Sequence, residues 1–149
     1  MSDDLHGYYI EDLFEGMTAA YAKTVTEADV ILFAGITGDD NPVHINEEFA
    51  AETRFKGRIV HGMFCAGLIS CVAGTRLPGP GAIYIDQSLQ FKAPVRIGDT
   101  VTARVIIKEV NREKRRVLAQ TQCLVKGTVV VDGTATFMVD AHGIGRQRV

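Results

Sequence analysis

The stretch VHGMFCAGLISCVAGTRL, residues 60–77, contains no acid, and its only lysine or arginine is Arg76 near its end. A run of this length with so little charge is typical of a helix that is covered on nearly all sides. Its small residues, among them Gly67 and Gly74, would let neighbouring backbone or a ligand approach closely. Glycine destabilises a helix interior by roughly 0.5–1 kcal/mol relative to alanine. Its presence at two positions indicates that close approach matters more here than helix propensity. The stretch predicts an enclosed helix over residues 60–77.

Downstream of this helix the apolar residues repeat with the period of a strand. From Ala82 they alternate, and one face carries Ile83, Ile85, Leu89 and Phe91. Three further strands are predicted over 100–110, 117–127 and 128–139, with the charged residues 111–116 as a hairpin tip. Asp132-Gly133 indicates a glycine bulge within the last strand, because too few residues follow it to form another hairpin.

Upstream of the helix, residues 16–30 indicate a strand followed by a helix start. Thr26 is the expected N-cap, and Asp29 three positions on gives a weakened capping box. Gly35 and Gly38 are expected to end this short helix, since GDDNP (38–42) is a run of turn formers. Residues 42–59 are expected to be irregular, with one helical turn around NEEFAAE.

The fold class follows from this order of elements. One strand, one apolar helix and then a meander of long strands is an α+β plan in which an antiparallel sheet wraps the helix. One small sheet cannot cover a helix that is apolar all round, so a partner subunit is expected. With 149 residues and 46% hydrophobic content, we expect a single domain over 1–149, with its core at about 16–139 and a flexible tail at 140–149.

Charge and composition exclude several functional classes. The formal net charge of −2 gives no reason to expect nucleic acid or an anionic membrane as partner. The first residues are acidic where a targeting peptide needs bases, and no apolar run reaches the roughly 20 residues that span a bilayer. We therefore expect a soluble, cytoplasmic protein.

The cysteines and the terminal histidines are expected to play no part in chemistry. Cys65, Cys71 and Cys123 form no C-x-x-C pair, and the spacing of the first two points them to different sides of one helix. They are expected to be buried free thiols. His6 and His142 lie in terminal segments and are expected to be solvated.

Chemistry-bearing side chains concentrate in GDDNPVH, residues 38–44. Asp39 and His44 are five positions apart with Pro42 between them, so a rigid turn could aim both side chains at one water molecule. A carboxylate and an imidazole sharing a water form a general acid–base unit that works near neutral pH. Alternatively, the acids and Asn41 form Asx turns and His44 has only a structural role.

A metal site is a third interpretation of this region. Its ligands would be Asp39, Asp40, His44 and His61, but no recognised ligand spacing is present, so no metal is expected.

His61-Gly62 lies where the apolar helix begins. Free backbone N–H groups at a helix N-terminus attract a carbonyl oxygen that is gaining charge, and glycine admits the ligand without a Cβ clash. The alternative is an ordinary helix start. His61 itself is expected to be structural, and Ser70, two turns along, is by residue type more often a packing residue.

Residues 33–63, the following helix and GAIYIDQSLQFKAPVRIGDTV (81–101) closely resemble the MaoC-like (R)-specific enoyl-CoA hydratases, and the likeness runs from about Gly16 to Val139. The signature is an aromatic residue, then Gly-Asp-x-Asn-Pro-x-His, then a small residue six positions on, here Ala50. IVHGM (59–63) and FKAPVRIGD (91–99) are further matches.

The resemblance implies a hot-dog fold, assembled at least as a homodimer, and reversible hydration of a trans-2-enoyl-CoA to an (R)-3-hydroxyacyl-CoA without metal or other cofactor. It implies that Asp39 and His44 activate the water and deliver a proton to the α-carbon, with Asn41 supporting their geometry. The N–H of Gly62 would bind the thioester oxygen. Ser70 falls where the family often has a serine near the catalytic pair. Asp40 replaces what is commonly an aromatic residue.

Several related activities remain open beside this one. Hot-dog thioesterases and acyl-carrier-protein dehydratases with a carboxylate on the central helix are disfavoured, since residues 63–77 contain neither Asp nor Glu. A MaoC-like dehydratase acting on acyl-carrier protein or on a specialised acyl-CoA would use the same residues. A non-enzymatic acyl-CoA-binding module is disfavoured because Asp39 and His44 are both present. Chain length and pathway, whether polyhydroxyalkanoate supply or fatty-acid metabolism, stay open.

Overall fold

In a computed structural model, which describes residues 5–143, one antiparallel sheet of six strands packs against a central helix. The strands are β1 (Thr18–Thr24), β2 (Ile83–Gln87), β3 (Gln90–Phe91), β4 (Thr100–Asn111), β5 (Arg116–Val125) and β6 (Thr128–Met138). The helices are α1 (Glu27–Thr37), α2 (Pro42–Ile45), α3 (Glu47–Glu52) and α4 (Gly62–Thr75). The strand order is β1-β4-β5-β6-β2, and β3 also pairs with β6. The predicted α+β hot-dog plan is confirmed.

Helix α4 buries one side against the sheet. Its Leu68, Ile69 and Val72 belong to the same hydrophobic cluster as alternate residues of β4 and β5, among them Val105 and Ala119. The prediction of a helix at 60–77 is confirmed, although it is two residues shorter at each end. None of the described helices is long and apolar enough to cross a bilayer.

The opposite side of α4 is exposed in the isolated chain, so the sheet alone does not enclose the helix, and cover of the remaining side by a partner subunit stays a prediction. The exposed stripe consists of Met63, Gly67, Ser70 and Gly74. These positions recur every three or four residues and therefore lie on one helix face. A sheet on one side cannot reach them.

Strand β2 does not follow the predicted alternation. A register shift between Tyr84 and Asp86 puts Tyr84 opposite Phe137 and Gln87 opposite Ala135, and both of those partners are buried. Ile83 and Ile85 are left 51% and 48% exposed. Tyr84 takes the inward position before the shift and Gln87 takes it after the shift, so alternation in the sequence alone assigned the wrong face to Ile83 and Ile85. The edge strand of the sheet therefore presents isoleucines to solvent.

Strand β6 is continuous through Asp132-Gly133, as predicted, but its bulge lies elsewhere. Cys123 pairs with Val131 and Leu124 with Val129, so the extra residue is Val130. Gly133 pairs regularly with Thr121. A Cβ at Gly133 would run into the carbonyl oxygen of Ser88, so close approach of the β2–β3 loop explains the glycine.

Helix α1 begins as predicted and ends later. The Thr26 N–H donates to Asp29 Oδ2 at 2.8 Å, and the Asp29 N–H donates to Thr26 Oγ1 at 3.2 Å, completing the capping box. Gly35 lies inside the helix, so its predicted role as a stop is wrong. Gly38, with φ of 78°, ends the helix in the left-handed conformation. Residues 42–59 contain two short helices, α2 and α3, rather than one turn.

The two ends of the described chain pack together. Ile10 is buried, so the core begins before residue 16, and its N–H donates to the Asp140 carbonyl at 2.8 Å. His6 has only 11% of its side chain exposed and stacks on Tyr9, so the prediction that it is solvated is wrong. His142 is 57% exposed. Residues 144–149 of the predicted tail lie outside the described residues, and the domain assignment over 1–149 stays a prediction.

Candidate active site

The turn between α1 and α2 carries Asp39. Its N–H donates to Thr37 Oγ1 at 3.2 Å, and the Asn41 N–H donates to Asp39 Oδ1 at 3.4 Å. Asn41 Oδ1 accepts from the Val43 N–H at 3.1 Å and caps α2, whose first residue is Pro42. Asx turns are therefore present. They position α2, and they are compatible with a chemical role for Asp39 and His44. Asn41 acts here through its cap.

His44 is held in one tautomer on α2. Its Nδ1–H donates to the Ile59 carbonyl at 2.8 Å, and because a carbonyl only accepts, Nε2 is left with the free lone pair. The side chain is buried, and burial lowers its pKa below 6.5, with His61 acting in the same direction. The bond to Ile59 and the charge of Asp39 oppose this shift. His44 is therefore neutral near pH 7 and able to accept a proton.

His61 joins this pair, although its sequence position gave no sign of it. It is buried, its ring centroid lies 3.9 Å from that of His44, and its Nε2–H donates to the Asp39 carbonyl at 2.8 Å. No spacing rule relates residue 61 to residue 39. The contact depends on how α4 docks beside the α1–α2 turn.

Gly62 is the first residue of α4. The first N–H groups of a helix have no partner within it, and no side chain caps α4 in the described part of the chain. A Cβ at Gly62 would lie 2.6 Å from Cε1 of Phe91. The sequence placed Phe91 on a buried strand face, but it is 54% exposed and lies over this helix start. Glycine is therefore required by Phe91 as well as by access to the N–H.

These groups line one cleft of about 390 Å³. Asp39, His44 and Gly62, the three predicted catalytic residues, all face it, together with His61. The remaining walls are largely apolar and consist of Phe55, Ile59, Val60, Met63, Cys65, Phe91, Ala93, Pro94, Val95 and Val131, with Arg54 and Lys92 as the cations. Such a lining suits an apolar ligand with one polar reacting group.

Two predicted supporting residues lie outside this lining. Asn41 caps α2, as described, and Ser70 lies on the exposed stripe of α4, two turns from Gly62. A contact between Ser70 and the catalytic pair stays a prediction. Of the bases, Arg96 donates to the carbonyls of Phe55, Gly57 and Arg58, and Arg58 pairs with Glu27.

The thiols are free, as predicted, but only Cys65 and Cys123 are buried, and Cys71 is half-buried. Burial raises the pKa of Cys65, which faces the cleft, to about 11. This thiol is therefore protonated near neutral pH and is a poor nucleophile.

The geometry is poorly suited to a metal ion. Ligand atoms of Asp39, His44 and His61 lie within 4.8 Å of one another. However, a metal lies in the plane of each imidazole that binds it, and the two rings are stacked with an angle of 31° between them. Rings that lie face to face at a centroid distance of 3.9 Å share no in-plane point at metal–nitrogen bonding distance. Acid–base chemistry fits this arrangement better than coordination does.

The chain is similar in sequence to known proteins. The family model described as MaoC like domain matches residues 14–131. The chain is 58% identical to an (R)-specific enoyl-CoA hydratase of Rhodospirillum rubrum, over 95% of this chain and 99% of that protein. It is 51% identical to a 3-hydroxybutyryl-CoA dehydratase of Methylorubrum extorquens, over 93% of this chain and 88% of that protein.

The fold has a matching solved structure. The (R)-hydratase from Aeromonas caviae superposes with a TM-score of 0.83 and 39% sequence identity, covering 87% of this chain and 98% of that chain. Fold and overall sequence thus agree, and the chain belongs to the MaoC-like domain family.

Proposed function

We propose that the protein is an (R)-specific trans-2-enoyl-CoA hydratase, which reversibly adds water to an enoyl thioester to give an (R)-3-hydroxyacyl-CoA. The observation that carries this proposal is the meeting of Asp39, His44 and the first N–H of α4 in one apolar cleft. The sequence identity of 58% to an enzyme of that activity supports it.

The reaction needs proton transfer and stabilisation of negative charge. The oxygen of a water molecule bound between Asp39 and His44 attacks C3 of the enoyl group, while the pair accepts one proton from that water. The thioester oxygen gains charge, and the Gly62 N–H binds it. The pair then returns a proton to C2, so one water is added across the double bond with no change in the enzyme. A neutral, partly buried His44 suits this exchange near pH 7.

Dehydration is the same equilibrium in reverse, so one site serves both directions. The 3-hydroxybutyryl-CoA dehydratase relative supports this alternative naming. We propose acyl-CoA as the substrate class. Arg54 and Lys92, the two cations that line the cleft, are proposed to bind its phosphates. The alternative of acyl-carrier protein would use the same catalytic residues.

We propose that two copies associate through the exposed stripe of α4 and the edge strand β2. Met63 is 57% exposed, and Ile83 and Ile85 are about half exposed, so both α4 and β2 leave apolar side chains uncovered. An unpaired edge strand with isoleucines is favourable for pairing with another copy. A cytoplasmic location stays a prediction. The A. caviae structure, described as involved in PHA biosynthesis, supports a role in polyhydroxyalkanoate supply.

Asp39→Asn and His44→Gln should each fold normally and lose at least about 10³-fold in the rate of crotonyl-CoA hydration, because each removes one member of the acid–base pair. The assay follows the loss of enone absorbance. Asp40→Asn, in the same turn but absent from the cleft lining, is the matched control and should stay near wild type. Wild-type rates in both active-site variants would refute the assignment.

Gly62→Pro should be less active than Gly62→Ala by about 10²–10³-fold in kcat, the usual value of one oxyanion donor. Both variants bring a Cβ against Phe91, but only proline removes the N–H. Proline is tolerated at the first position of a helix, and His61 already has the extended conformation, with ψ of 130°, that precedes proline. Equal activity of the two variants would exclude the Gly62 amide as a donor.

The value of kcat/KM for hydration should fall at acid pH with a midpoint below 6.5. The base must be unprotonated, and the pKa of His44 lies below 6.5 because it is buried. Activity is therefore level above that pKa and falls about tenfold per pH unit beneath it. An NMR titration of His44 should give the same midpoint. A midpoint above 6.5 would contradict the buried, neutral imidazole.

Wild-type protein should sediment as a dimer, and Ile83→Asp combined with Ile85→Asp should shift it toward monomer, because two charges on the β2 edge oppose pairing. Ala22→Asp puts one charge of the same sign at an exposed position of the opposite edge strand, β1, and should leave the dimer intact. A wild-type monomer at micromolar concentration would argue against the proposed surface.

A further inference from the structure

The turn that carries Asp39 is held mainly by bonds within itself. Asp39 binds Thr37 through its N–H, and its carboxylate accepts from the Asn41 N–H, both only two positions away. Its side chain is exposed. Such local bonds keep the shape of the turn but do not fix where the turn lies in the molecule. Among the described residues, the hydrogen bond that fixes Asp39 from a distance comes from His61, 22 positions along the chain.

An imidazole is an unexpected side chain for the buried, aromatic space that His61 fills. It is 1% exposed and lies between Phe33, at 4.7 Å, and His44, at 3.9 Å, measured between ring centroids. Because its Nε2–H donates to a carbonyl, Nδ1 of the neutral ring is an acceptor, and among the described residues this buried atom has no partner. A phenyl ring would fill the space without that unpaired acceptor. What the imidazole supplies is the Nε2–H.

We propose that His61 is a positioning residue for the hydration reaction. Its Nε2–H holds the Asp39 backbone, its ring supports the ring of His44, and its own carbonyl carbon is bonded to the nitrogen of Gly62. One residue therefore sets the distances between the acid, the base and the oxyanion donor. It acts through Asp39 and, with 1% of its surface exposed, offers almost nothing for a ligand to contact. This inference rests on the proposed function.

Two substitutions separate the hydrogen bond from the ring. His61→Phe keeps an aromatic ring against Phe33 and His44 and removes the donor. His61→Gln loses the ring but carries an amide N–H at about the reach of Nε2. His61→Leu is a second variant without a donor, in case His61→Phe does not fold.

In crotonyl-CoA hydration, His61→Phe should lose about 10²-fold in kcat with little change in KM, because a small displacement of a catalytic group costs that much. Its melting temperature should change little, since the lost hydrogen bond to Asp39 is offset by removal of a buried unpaired acceptor. His61→Gln should recover at least about tenfold of the lost kcat. A purely structural role predicts the reverse, with His61→Phe active and His61→Gln impaired, and that result would overturn the proposal.

Two further measurements show whether the effect passes through Asp39. In an Asp39→Asn background, His61→Phe should cost little more, because the group that it positions is already disabled. In NMR spectra of the variants, the Asp40 amide, bonded to the Asp39 carbonyl, should shift in His61→Phe and return toward wild type in His61→Gln. Full additivity of the two substitutions in their effect on kcat, or an unchanged chemical shift of the Asp40 amide, would overturn the proposal. Absence of hydratase activity in the wild-type protein would instead refute the proposed function. The Asp40 amide shifts would still show whether His61 holds the Asp39 backbone.

Discussion

The site depends on the packing of one side of α4 against the curved sheet. Leu68, Ile69 and Val72 are almost completely buried there, and each such side chain contributes about 1.5–3 kcal/mol. This packing fixes the helix axis and with it the position of the first N–H groups of α4. The α1–α2 turn then docks at that helix start through His61. The groups proposed for catalysis come from two segments, and the position of α4 beside the turn sets the distance between them.

The second requirement is a base that stays neutral while it is largely enclosed. His44 satisfies it by giving its Nδ1 proton to a backbone carbonyl, so that the lone pair of Nε2 remains for chemistry. Burial alone would make the imidazolium costly, and Asp39 moderates that cost. The stack with His61 holds the ring without adding a competing hydrogen bond. A proton can therefore enter and leave at little energetic cost, as a reversible reaction requires.

Local features of the site could be predicted from the sequence because they depend on neighbouring residues. The turn formers at residues 38–42 predicted the turn that carries Asp39, and the uncharged run after Gly62 predicted a helix, whereas the short helix α2 was not predicted. The Thr26–Asp29 capping box is equally local. The family resemblance implies the roles of Asp39 and His44, which spacing alone left open between catalysis and Asx turns.

Features that depend on distant contacts could not be predicted in this way. Pairing with β6 decides that Tyr84, rather than Ile83, lies opposite the buried Phe137. The glycine at 133 is explained by the Ser88 carbonyl rather than by a bulge. The role of His61 depends on a contact 22 positions away in the chain, and the exposed stripe of α4 depends on how little of the helix one sheet can cover.

The central claim is that water is delivered to one face of a thioester whose oxygen is fixed by the start of α4. The most direct measurement is the stereochemistry of hydration, by chiral analysis of the 3-hydroxybutyryl-CoA formed from crotonyl-CoA. A water held by Asp39 and His44 on one side of the cleft should give the (R) product alone. A racemic or (S) product would contradict the account.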